Sequence, residues 1–159
     1  MTRSLSPSPF AQPGNPADVE TGVTLTPRFG DNGVLAAVAT DCETGEVLML
    51  AWMNAEALAL TISTSVAHFF SRSRGRIWKK GEESGNVLDV VELLTDCDQD
   101  AILMKVRMRG LEAACHTGHR TCFYRRIQLG GSAGSAHLES TGAARVFDPA
   151  EVYGTSASS

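Results

Sequence analysis

The chain has 159 residues, 43% of them hydrophobic, which suits one domain with a core of its own. A formal charge of −4 speaks against a general nucleic-acid binder, and the longest apolar run, residues 47–53, is far too short to span a bilayer. Four cysteines without an export signal are expected to be reduced thiols or metal ligands in a soluble, cytoplasmic protein.

Residues 1–16 are rich in Ser, Pro and Gly and read as a disordered tail ahead of a domain over 17–129. Two short apolar runs, 34–40 (VLAAVAT) and 47–52 (VLMLAW), flank a Thr44-Gly45 turn signal and predict a hairpin. Asn54 is a natural N-cap, with Glu56 in the first turn, so the main helix is expected over about 54–65. From residue 66 the pattern predicts a strand followed by an Arg-, Ser- and Gly-rich functional loop that runs to Asn86.

Residues 87–94 are rich in β-branched side chains, and in 101–109 Ile102, Met104, Val106 and Met108 alternate with polar residues, which predicts two strands. Residues 122–129 (CFYRRIQL) read as a last core strand. The Gly/Ser/Ala-rich segment 130–159 is expected to be flexible, with a stretch at 146–153 able to dock through Val146, Phe147, Val152 and Tyr153. Strands without repeated strand-helix alternation predict an α+β fold with a mainly antiparallel sheet.

The densest chemistry lies in Asp96-Cys97-Asp98-Gln99-Asp100. If the segment is extended, Asp96, Asp98 and Asp100 share one face, and three converging carboxylates call for a cation such as Mg²⁺ or Ca²⁺. Taken alone, such a triplet is more often a solvated acidic turn. Cys97 inside it, and Cys115-His116-Thr117-Gly118-His119-Arg120-Thr121-Cys122 downstream, shift the balance toward metal chemistry.

Thiolates from Cys97, Cys115 and Cys122 would leave the fourth position of a zinc ion for water, whose pKa zinc lowers to about 7. A closed structural site with His116 or His119 as fourth ligand remains an alternative. His116 follows a proposed ligand directly, and an imidazole, with a reference pKa of about 6.5, is the side-chain type suited to a general acid or base; His119 and His68 are weaker candidates. Cys42, isolated in the first hairpin, reads as a small buried hydrophobe.

Five cations, Arg72, Arg74, Arg76, Lys79 and Lys80, fall within nine residues, beside Ser73 and a Ser84-Gly85-Asn86 turn. Arginine forks and exposed backbone N–H groups suit phosphate oxygens, so this segment is expected to hold an anionic small molecule.

Several blocks together resemble the phosphoribosyl-AMP cyclohydrolase family over roughly 33–127. They are Thr44-Gly45-Glu46-Val47-Leu48-Met49 with Trp52-Met53-Asn54, Ser71-Arg72-Ser73-Arg74 with Trp78-Lys79-Lys80-Gly81 and Ser84-Gly85-Asn86, Asp96-Cys97-Asp98-Gln99-Asp100, and Cys115-His116-Thr117-Gly118 with Cys122-Phe123. The resemblance implies hydrolysis of the N1–C6 bond of 1-(5-phosphoribosyl)-AMP, to the formimino carboxamide ribotide of histidine biosynthesis.

It further implies magnesium at Asp96, Asp98 and Asp100 and zinc at Cys97, Cys115 and Cys122. The zinc ligands would be shared between the subunits of an intertwined homodimer. His116 is then the expected catalytic residue, and Arg72, Ser73, Arg74, Lys79, Ser84, Gly85 and Asn86 the expected substrate-binding set, with no nucleic-acid or membrane partner. Thr121 departs from the family's usual Ser, and Val34-Leu35-Ala36 lacks a usual proline. Two rivals differ in kind. A zinc nucleoside deaminase needs H-x-E together with P-C-x-x-C, and P-C-x-x-C is missing here. An RNA-binding module with structural zinc would stack bases on Phe69 and Phe70.

Overall fold

The computed structural model describes residues 7–154. The outermost parts of the two expected flexible ends, 1–6 and 155–159, therefore lie outside the described residues. Helix α1 (Pro16–Thr21) begins where the Asn15 side chain accepts the Asp18 N–H at 3.0 Å, with proline in its first turn.

Strands β1 (Leu35–Asp41) and β2 (Val47–Met53) form the expected antiparallel hairpin, Leu35 facing Met53. The Asp41 carboxylate shapes its turn by accepting the N–H groups of Thr44 and Glu43, and these bonds, Thr44 foremost, hold the carboxyl below the usual range. Gly45 takes the left-handed conformation, φ 75°, that the turn requires.

Helix α2 (Ala55–Thr64) starts at Asn54, whose side chain accepts the Ala57 N–H at 2.9 Å, and ends at Ser65 in the left-handed region. Its buried Thr61 hydroxyl donates to the Ala57 carbonyl and accepts the His68 N–H. That pairing ties the helix to β3 (His68–Ser71).

The Arg- and Ser-rich stretch is more regular than its composition suggests. After a turn that ends on Gly75 (φ 61°), Arg76–Lys79 forms strand β4, antiparallel to β3. The hairpin is held by Phe69, fully buried, with its ring centroid 5.0 Å from that of Trp78.

Strands β5 (Leu88–Thr95) and β6 (Ala101–Met108) complete a four-stranded sheet in the order β2-β1-β6-β5. The alternation in β6 matches the burial pattern, with Ile102, Met104, Val106 and Met108 all inward. The sheet is mixed, not purely antiparallel, because β1 and β6 run parallel, Ala36 beside Ala101 and Thr40 beside Lys105. Leu35, Leu48, Met53, Leu58, Phe69, Leu88 and Met104 make the core between sheet, helix α2 and the β3/β4 hairpin.

The last predicted core strand is corrected. Only Arg125–Ile127 forms a strand, β7; it pairs with β8 (Leu138–Ser140), and every residue of both is exposed. Two adjacent arginines and an Ile with no facing layer leave this ribbon on the surface. A 3₁₀ turn (Ala133–Ser135) lies between its strands, and helix α3 (Pro149–Tyr153) follows. Phe147 is buried, and the Val146 N–H reaches the Gly118 carbonyl at 2.6 Å. Among the described residues, no helix is long and apolar enough to cross a membrane.

Phe69→Ala should destabilise the fold by about 3–5 kcal/mol, and Asn54→Ala by about 1 kcal/mol, both read as shifts of the urea unfolding midpoint. A Phe69→Ala loss below that of Asn54→Ala would show that the β3/β4 hairpin is not part of the cooperative core.

Candidate active site

The acidic segment is a turn between β5 and β6, and not an extended run. Gln99 adopts φ 58°, its N–H donates to the Asp96 carbonyl, and the Asp96 carboxylate accepts the N–H groups of Asp100 (3.0 Å) and Ala101 (3.1 Å). The outcome expected from alternation is reached by a different route: one carboxylate oxygen from each of Asp96, Asp98 and Asp100 lies within 4.8 Å of the others.

Burial alone pushes the Asp96 carboxyl up, yet the Ala101 and Asp100 N–H groups bring it below the usual range. Asp100 is raised, first by its hydrogen bond with Asp96 and then by burial and by the charges of Asp96 and Asp98. Carboxylates crowded in this way share protons unless a hard cation replaces them, and such a cation accepts this donor set. The buried Gln99 side chain locks the turn by accepting the Thr26 N–H (2.8 Å) and donating to the Val19 carbonyl (2.9 Å).

The second loop, residues 115–122, sits on the β1/β2 hairpin. Arg120 forks onto two carboxylates, Nη2 to Asp41 and Nε to Glu46, each at 2.8 Å. The Cys122 N–H donates to the Leu48 carbonyl at 2.7 Å, and the Thr121 hydroxyl donates to the Val47 carbonyl. Thr121 thus keeps a hydroxyl where the family usually has Ser. Gly118 (φ 91°) closes the loop against the Phe147 carbonyl, where a Cβ would stand only 2.1 Å away.

This loop brings two thiols together. The Cys122 thiol is pushed up to about 12, first by burial and then by the charge of and hydrogen bond with Cys115, against a smaller opposing pull from Lys80. Two thiols this close lose their protons to solvent when a soft cation takes their place, which makes the pair a fitting two-sulfur half of a zinc site.

A cleft of about 430 Å³ opens beside the thiols. Its walls include His116, Cys122, Ser73, Arg74, Lys79 and Ser84, so six of the residues singled out in the sequence meet in one place. Others lie elsewhere. The Arg72 guanidinium stacks over the Trp52 ring, 4.3 Å from its centroid, beside a neighbouring shallow pocket. Asn86 is buried beneath the cleft, its side-chain oxygen accepting the Leu111 N–H at 2.8 Å, and Gly85 turns there with φ 77°. Cys42 is half-buried.

Cys97 and the aspartates stand at the start of β6, whereas Cys115 and Cys122 lie near the end of β1 and the start of β2, level with the end of β6. Eight residues of strand separate the two loops by roughly 20 Å. Among the described residues the aspartates are the only set of three with ligand atoms mutually close enough for one ion, so one chain does not close the three-thiol site.

Arg76 and Lys80, counted in the sequence among the five cations suited to an anion but left out of the expected substrate-binding set, both line the cleft. Lys80 is buried, and burial lowers its ammonium pKa against the supporting pull of Cys122 and Cys115. A lysine in a cationic run normally reads as solvated, so no sequence signal distinguished it. In the metal-free chain, Cys122 should react with iodoacetamide at pH 8 at least about tenfold more slowly than a simple thiol peptide. Peptide-resolved alkylation rates check this, and an equal rate would contradict the crowding described.

A model of the phosphoribosyl-AMP cyclohydrolase family matches residues 49–124. Phosphoribosyl-AMP cyclohydrolase of Sinorhizobium fredii is 56% identical over 137 residues, covering 86% of this chain and 89% of its own length. That of Sinorhizobium medicae is 56% identical over 144 residues, 91% and 94% of the two chains, and that of Caulobacter vibrioides is 56% identical over 126 residues, 79% and 91%. With this similarity running through the acidic turn, the cysteine loop and the cleft, the chain belongs to the phosphoribosyl-AMP cyclohydrolase family of hydrolases, whose reaction serves histidine biosynthesis.

Proposed function

We propose that a single cyclohydrolase domain, residues 17–129, opens the adenine ring of 1-(5-phosphoribosyl)-AMP at the N1–C6 bond in the cytoplasm, and that it works as a homodimer. The observation that carries the reading is the cleft in which His116 and Cys122 face Arg74, Arg76 and Lys79. One wall offers soft metal ligands and an imidazole, and the other offers cations for a substrate with two phosphoryl arms.

Cys97, Cys115 and Cys122 are the zinc ligands in this reading, and zinc held there supplies a Lewis acid that lowers the pKa of a bound water to about 7. The roughly 20 Å between the two loops supports sharing: Cys97 of one subunit would join Cys115 and Cys122 of the other. Asp96, Asp98 and Asp100 hold magnesium, whose hard charge suits their crowded oxygens.

The chain's own groups then have distinct tasks. Arg74, Lys79 and Ser73 hold the phosphates in the cleft, with Ser84 at the turn that Gly85 and Asn86 shape, and Arg72 is placed for an outer phosphate beside Trp52. Alkylation at N1 leaves C6 electron-poor, so a water oxygen adds there. The N1–C6 bond breaks, C6 becomes the carboxamide carbon, and N1 leaves as the formimino nitrogen. His116, exposed in the cleft wall, takes a proton from the attacking water and returns one to N1. The buried Lys80 ammonium beside the two sulfurs offsets their negative charge.

Turnover of 1-(5-phosphoribosyl)-AMP, followed with zinc content, tests the reading. Cys115→Ser should lose zinc and turnover together, and His116→Ala should keep zinc while kcat falls by about 10²–10⁴. Full activity in metal-free protein would refute it. Sharing of ligands makes a separate prediction. Cys97→Ala and Cys115→Ala proteins, each inactive alone, should regain about a quarter of wild-type activity after random subunit exchange, because half the dimers then carry one intact site of two. No recovery in confirmed mixed dimers would show that the ligands are not shared.

A further inference from the structure

Behind the Cys115 sulfur runs a chain of polar contacts that leads away from the cleft. The Cys115 sulfur lies 2.9 Å from the Thr117 hydroxyl oxygen, and that oxygen lies 3.1 Å from Nδ1 of His119. The His119 ring is stacked on Tyr124, with centroids 3.6 Å apart and planes only 2° from parallel. The Arg125 guanidinium also lies over the Tyr124 ring, 5.4 Å from its centroid. Tyr124 is in turn pinned by the exposed β7/β8 ribbon, since Thr141 donates both its N–H (3.0 Å) and its hydroxyl (2.9 Å) to the Tyr124 carbonyl.

The direction of this chain follows from elementary bookkeeping of protons. A metal-bound cysteine is a thiolate and has no proton to give, so the Thr117 hydroxyl must donate to it. Its single proton thus spent, the Thr117 oxygen is left to accept, and the Nδ1–H of His119 is the donor in reach. The imidazole is thereby held with a proton on Nδ1, and the flat stack on Tyr124 prevents the ring from turning away.

We propose that Thr117, His119 and Tyr124 are positioning residues that aim the Cys115 thiolate at the metal through a directed relay, His119 to Thr117 to Cys115, with the β7/β8 ribbon as its outer brace. The proposal rests on the reading of Cys115 as a zinc ligand. A hydrogen bond to a ligating sulfur fixes its lone-pair direction and draws off part of its charge, and loss of such outer partners typically costs about 10–100-fold in metal affinity or activity. The relay also gives the C-terminal ribbon, which contributes nothing to the core, a role in the site.

The test compares Thr117→Val, Thr117→Ser, His119→Ala and His119→Asn in the full-length protein. Zinc affinity is measured by chelator competition, and the thiolate-to-metal charge-transfer band is recorded after cobalt(II) substitution. Thr117→Val should bind zinc about 10–100-fold more weakly and move the band to longer wavelength, because a sulfur without its donor is more easily oxidised. Thr117→Ser should restore both readouts. His119→Ala should shift the band the same way, and His119→Asn, whose amide N–H can stand in for Nδ1–H, should restore it.

A wild-type band and wild-type affinity in Thr117→Val, or in His119→Ala should Thr117→Val fail to fold, overturns the relay. Cys115→Ser reports separately on the reading beneath it. If that variant keeps its zinc and the whole of its charge-transfer intensity, Cys115 is no ligand, and the failure lies there and not in the relay.

Discussion

The parallel pairing of β6 with β1 governs the geometry of this protein. Because the two strands run side by side in the same direction, the turn that leads into β6 and the loop seated where β1 gives way to β2 fall at opposite ends of the sheet. The first carries Cys97 among three aspartates; the second carries Cys115 and Cys122. Each loop is anchored firmly at its own end, by the buried Gln99 side chain in one case and by the Arg120 fork onto Asp41 and Glu46 in the other. Neither loop is built to travel the length of a strand, so the proposed three-thiolate site would draw on two copies of the chain.

Electrostatics explain why each loop waits for a cation. Three carboxylates within 4.8 Å repel one another, and Asp100 holds its proton more tightly, first through its hydrogen bond with Asp96 and then through burial and the neighbouring charges. Burial first, and then the charge of the neighbouring Cys115 sulfur, push the Cys122 thiol up to about 12. In the proposed reading, hard oxygens at one end and soft sulfurs at the other would sort two kinds of metal by ligand chemistry alone. Beside the thiols the cleft brings cations and an imidazole together.

What the sequence made readable was local. Asn54 announced helix α2 by its capping chemistry, and alternation along 102–108 identified the inward face of β6. The parallel pairing was hidden, since an apolar run carries no mark of its neighbour's direction. Carboxylate convergence was anticipated through strand alternation, but the actual cause is a left-handed Gln99, a conformation that an acidic segment does not advertise. The Arg120 fork joins residues 74 and 79 positions apart, beyond any motif window. Residues 122–129 looked like core because Cys, Phe, Tyr and Ile were weighed without knowing that no layer would face them.

Sulfur count around the metal tests the account most directly. X-ray absorption on the zinc-loaded enzyme should show three sulfurs at about 2.3 Å and one lighter atom at about 2.0 Å. A shell with two sulfurs or fewer, or with four tightly bound protein ligands and no open position, would contradict a shared three-thiolate site with room for water.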